Sequence, residues 1–63
     1  MDLLARSAIV SLYDAGDIPD KATAREVWTV YQVVGEETPE ALCAALDAVG
    51  LDGTLAFEVW GEW

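Results

Sequence analysis

The chain has 63 residues, of which 54% are apolar, with twelve carboxylates against three basic side chains, a formal net charge of −9, one cysteine and no histidine. The length allows one domain near the lower size at which a chain folds unaided. The apolar fraction is too high for a disordered acidic tail, and a lone cysteine without histidine excludes a disulfide framework, a zinc cluster and a Cys-His dyad within the chain.

Over 2–15, Leu3, Leu4, Ser7, Ala8, Ser11 and Leu12 fall on one face at helical spacing, with Asp2 where an acid favours a helix start. The same segment holds Ala8-Ile9-Val10-Ser11-Leu12-Tyr13, whose β-branched and aromatic content also suits a strand. Turn chemistry follows over 14–20, where Gly16 ends a helix and Pro19 blocks its continuation. Thr23 and Glu26 have capping-box spacing for a short helical turn.

The segment Val27-Trp28-Thr29-Val30-Tyr31-Gln32-Val33-Val34 is dense in β-branched and aromatic residues and closed by Gly35, which predicts a central strand. Thr38-Pro39-Glu40-Ala41 predicts a helix with Thr38 as N-cap and Pro39 at its first position. Leu42, Ala45, Leu46 and Val49 are its apolar stripe and Gly50 its end. After a turn at Leu51-Asp52-Gly53, Leu55, Phe57 and Val59 alternate with polar or small residues, which predicts a half-buried strand over 54–60. The expected fold is α+β: a single domain over 1–63 with a small sheet of two or three strands flanked by two or three short helices. Antiparallel pairing is favoured because a parallel sheet needs both faces covered.

Charge is the feature that points to function. From Glu26 to Trp63 there are eight carboxylates and no Lys or Arg, and all three basic residues, Arg6, Lys21 and Arg25, precede the first predicted strand. Ordinary small domains intersperse both signs, with a net charge of magnitude ~2 to 8. Asp14, Asp17 and Asp20 superficially match a calcium loop, but Gly16 and Ile18 stand where oxygen ligands belong and Arg25 where the bidentate glutamate belongs. They read instead as exposed turn carboxylates. Glu36, Glu37 and Glu40 suit the dipole at the start of a helix, which explains their placement but not the missing cations. With Asp47, Asp52, Glu58 on the polar face of the last strand and Glu62 beyond it, these acids are expected to offer a rim to a basic partner.

Trp28 is expected in the core. Trp60, opposite Leu55, Phe57 and Val59, is either sheet cover or an interface anchor, with Trp63 as a second anchor. Cys43 has no basic neighbour to favour a thiolate and reads as a small buried hydrophobe. No catalytic, cofactor or metal residues are expected: without histidine, acid/base work would fall to carboxylates in a cleft that so short a chain can hardly build. The N-terminus lacks a basic region before an apolar run and no stretch reaches ~18 apolar residues, so a cytoplasmic location without membrane attachment is expected.

A tiny, folded, strongly acidic domain without catalytic residues resembles the phage-encoded DNA mimics, in particular small anti-CRISPR proteins such as the short acidic inhibitors of type I systems, type I-C included. The resemblance lies in overall character and carries no residue role by position. It implies a DNA-mimic inhibitor, a monomer or weak dimer in the host bacterial cytosol. Its partner would be a basic nucleic-acid-binding protein such as a CRISPR surveillance complex subunit. Direct nucleic-acid binding is opposed by the charge itself. Two other readings stand beside it: an antitoxin-like inhibitor or small complex subunit that binds through apolar and strand-edge contacts, and a halophile's protein whose acidity serves solubility.

Overall fold

The computed structural model describes residues 3–60, and every described element is helical: α1 (Leu3–Asp14), α2 (Lys21–Val34), α3 (Pro39–Ala48) and the short α4 (Leu55–Val59). The expected α+β fold is therefore corrected to an all-helical one, with no strand among the described residues. The Cα radius of gyration is 9.9 Å and the extents are 24 × 24 × 20 Å.

Residues Gly16 and Gly50 end α1 and α3 in the same way. Both adopt positive φ, +88° and +85°. The amide of Gly16 donates to Tyr13 O and that of Asp17 to Leu12 O, while Gly50 donates to Asp47 O and Leu51 to Leu46 O. Each pair is a Schellman closure, which satisfies carbonyls left over at a helix end and turns the chain back. Ile18, buried under the first of these turns, also donates to Leu12 O. At the opposite ends, the Asp20 carboxylate accepts from Thr23 N at 2.7 Å and the Thr38 hydroxyl accepts from Ala41 N at 3.1 Å. Thr38 and Pro39 thus start α3 as their sequence predicts. The Thr23–Glu26 capping box does not form: Thr23 receives the cap of Asp20 inside a longer helix.

That longer helix replaces the central strand predicted over 27–34. Ala24, Val27, Trp28 and Tyr31 recur at helical spacing, and Val27 and Tyr31 are buried while Val33 is 81% exposed. A strand would have alternated buried and exposed residues along the run. The segment 54–60 is corrected likewise. Ala56 is fully buried, Leu55, Val59 and Trp60 pack against the core, and Phe57, assigned to an inner strand face, is 51% exposed. In α1 the inward face is Ala5, Ala8, Ile9 and Leu12, one position round from the predicted stripe: Leu4 and Ser11 are exposed.

The core joins these residues to Ile18 and to Ala41, Leu42, Ala45 and Leu46 of α3. Alanines of α1 and α3 leave room in this core, which Leu12, Leu42 and Leu46 fill, and α2 packs against both helices. Tyr31 is 3% exposed and bridges two tryptophans. Its ring stacks on Trp28 at a centroid distance of 5.9 Å and meets Trp60 at 6.5 Å, tilted by 45°. Trp28, expected in the core, is half-buried over it, and Trp60 covers Tyr31 rather than a sheet.

Candidate functional site

The fold distributes the carboxylates around the body rather than along a strand. Asp14 ends α1 and Asp17 lies in the α1–α2 turn, Glu36 and Glu37 lie in the α2–α3 link, Glu40 opens α3 and Asp47 is in its last turn, Asp52 is in the α3–α4 turn, and Glu58 sits on α4. All eight are exposed. Glu62 and Trp63, also expected to contact a partner, fall outside the described residues. The rim expected from strand positions has no strand to stand on, and Glu58 projects from a helix.

The acids divide by what their oxygens do. Asp20, Asp47 and Asp52 are committed to the chain itself. The backbone amide of Thr23 donates to Asp20 and, with the Thr23 hydroxyl, holds that carboxyl below the usual carboxylate range. The Thr54 hydroxyl, at 2.6 Å, and the Thr54 amide, at 3.0 Å, do the same for Asp52. Asp47 Oδ1 accepts from the amide of Gly53 at 3.0 Å, which ties the α3–α4 turn back onto α3. Asp14, Asp17, Glu26, Glu36, Glu37, Glu40 and Glu58 are exposed, and their carboxylates make no hydrogen bond or ion pair to a described residue.

One part of this surface has measurable convergence. Glu40, Cys43 and Asp47 share a face of α3 at positions i, i+3 and i+7, and Asp52 joins them from the following turn. Partial burial pushes the Cys43 thiol up, and the negative charges of Asp47, Asp52 and Glu40 push it further, with Asp47 Oδ2 3.9 Å from Sγ. A thiol so placed is a poor nucleophile at neutral pH, since the thiolate is the reactive form. The half-buried Cys43 is thus the probe of a local negative field rather than a reactive group. Glu40 and Asp47 are seven residues apart, about 10 Å along the helix, close to three phosphate steps of one DNA strand at ~3.4 Å each along the axis.

Helix energetics account for few of these placements. Only Glu40 stands in the first turn of a long helix, where the dipole favours an acid, while Asp14 and Asp47 stand in last turns, where it opposes one. No helix among the described residues carries a basic residue in its last turn. The cations instead gather in one place. Arg6, Lys21 and Arg25 line one groove between α1 and α2, and no carboxylate lines it. This segregation was missed in the sequence, although Lys21 and Arg25 lie one helical turn apart and a helix over that segment would have put them on one face.

No family model, curated protein or solved structure matches the chain. No helix among the described residues is long and apolar enough to cross a membrane.

Proposed function

We propose that this protein is an acidic DNA mimic that occupies the basic nucleic-acid-binding surface of a target protein and blocks DNA recognition, the PAM-reading site of a type I CRISPR surveillance complex being the candidate target. The observation that carries the reading is that seven exposed carboxylates make no bond to a described residue on a body 24 × 24 × 20 Å in extent, about as wide as a duplex. Exposed carboxylates on a preorganised helical body stand in for phosphates. They steer association with a Lys/Arg groove and exclude the duplex from it. The half-buried Trp60 and the exposed Phe57 beside Glu58 supply apolar anchors next to the charge.

The competing apolar module loses its strand-edge contacts, because the described residues contain no strand. Of its exposed apolar residues, Val33 and Val34 next to Glu36 and Glu37, and Phe57 next to Glu58, lie beside acids and serve the mimic equally well, whereas Val10 stands in the groove lined by the cations.

The test is capture of a partner from lysate of CRISPR-bearing bacteria with the tagged protein, followed by competition with PAM-containing duplex. The expected result is a nucleic-acid-binding partner that duplex displaces and that rising salt weakens. The double reversal E36K/E37K takes the formal charge from −9 to −5, since each substitution adds two, and should weaken binding by about tenfold or more at low salt, and by less at high salt. Binding that is indifferent to duplex, salt and the reversal would defeat the proposal.

A further inference from the structure

The chain's three cations converge where its carboxylates do not. Arg6 of α1 and Lys21 and Arg25 of α2 line an open groove of about 430 Å³ whose floor is Ile9, Val10, Tyr13 and Ala24. The groove continues along Ile9 and Val10 to Trp28. None of the three cations makes an ion pair or hydrogen bond through its side chain to a described residue. Two of them stand where helix energetics oppose a cation: Lys21 is the first residue of α2 and Arg6 lies in the first turn of α1. Val10, in the floor, is 55% exposed.

We propose that this groove docks an acidic amphipathic helix of a partner protein. The floor runs between two antiparallel helices, Tyr13 facing the Lys21 end of α2 and Ile9 the Trp28 end. That is the shape in which a helix lays an apolar stripe at i, i+3, i+4 and i+7. Cations at its edges, unpaired within the described chain, select carboxylates flanking that stripe. A compact small molecule is a poorer occupant, because an open groove leaves most of it in water. A second copy of this chain would bring another nine negative charges against a body already at −9, whereas a short acidic helix on a partner of basic or neutral overall charge brings few and sets them against Arg6, Lys21 and Arg25. Glu36, Glu37 and Glu40 do not line the groove, so binding there leaves their carboxylates to a partner. The proposal does not rest on DNA mimicry.

The experiment titrates the full chain into two fluorescently labelled peptides of about 14 residues, a length matching α2. They carry the same leucine and phenylalanine stripe, flanked by glutamates in one and by lysines in the other. Anisotropy should show the glutamate peptide binding at about 0.1 M salt. Affinity should fall by about tenfold or more in R6E/R25E, less in R6Q/R25Q, and remain near wild type in R6K/R25K. Arg6 and Arg25 are both exposed, and circular dichroism checks that each variant remains helical; V10E, which puts a carboxylate on the floor, should also lose the peptide. The proposal is overturned if the glutamate peptide fails to bind at about 1 mM, or if its affinity ignores these substitutions. It is overturned equally if the protein alone self-associates in sedimentation and R6E/R25E abolishes that, which would make a second copy the occupant. E36K/E37K leaves the groove untouched, so loss of duplex competition in that variant reports on mimicry alone.

Discussion

A missing methyl group decides the packing at Gly53. The residue is buried in the α3–α4 turn, and a Cβ there would sit 2.6 Å from Asp47 Oδ1 and 2.7 Å from both the carbonyl oxygen and Sγ of Cys43. The Asp47 carboxylate is pinned there by the Gly53 amide itself, and the Cys43 carbonyl belongs to α3, so neither yields without breaking what holds the turn. Gly53→Ala should therefore destabilise the fold by about 1–3 kcal/mol, the usual cost of overpacking, and lower Tm by roughly 4–8 °C per kcal/mol in a domain of this size. Thermal unfolding followed by circular dichroism reads the shift. Trimming Asp47 to alanine as well should not restore stability, because the Cys43 carbonyl remains in the way; an unchanged Tm in the single variant would mean that the turn is looser than its contacts. Asp47 thus serves the fold first, and of the described acids expected to meet a partner it and Asp52 are the two whose oxygens are already engaged.

The helix α2 shows where local preference and tertiary packing part. Its second half is dense in β-branched and aromatic residues, and propensity alone favours a strand. The helical period was nevertheless present: Ala24, Val27, Trp28 and Tyr31 make one face, and burying it against α1 and α3 outweighs the few tenths of a kcal/mol per residue that propensity contributes. Thr29 tests this directly. It is exposed and its hydroxyl donates to Arg25 O at 2.9 Å, one turn back, so Thr29→Ala should stabilise the protein by up to about 0.5 kcal/mol in a helix, whereas the same change would destabilise a strand. The sign, from urea unfolding, separates the two. The same distinction explains what else was legible. Caps and stops are local chemistry, and Thr38-Pro39, Gly16 and Gly50 announce their turns correctly. The face of a short element is not local: over 54–60 alternation and helical spacing share Leu55 and Val59, and only the burial of Ala56 beside the exposure of Phe57 tells them apart. The acids were legible as residues, but their arrangement depended on a sheet that does not form.

At the scale of the whole molecule, charge acts on stability and on binding with opposite signs. Ten carboxylates and three cations occupy the described residues of a body no more than 24 Å across. At about 0.01 M ionic strength the Debye length is ~30 Å, so every carboxylate feels every other, and at about 1 M it is ~3 Å and repulsion reaches only neighbours. Folding brings the charges together, so their self-repulsion opposes the compact state. Adding sodium chloride over that range should raise Tm, by on the order of 5 °C given the steep response of Tm in a small domain. The increment should shrink in E36K/E37K, which should itself be more stable than wild type at low salt because it removes two charges and adds two of opposite sign. Binding to a basic partner runs the other way, weakening as salt screens the attraction. A protein that folds cooperatively at low salt and gains only this increment is one whose acidity costs stability without being required for solubility, as expected of a surface kept for a partner. A chain that folds only at high salt would instead carry the signature of halophilic adaptation. A Tm that falls with salt would show that attraction to Arg6, Lys21 and Arg25 outweighs repulsion among the carboxylates, and the exposed acids would then lose their standing as an uncompensated field.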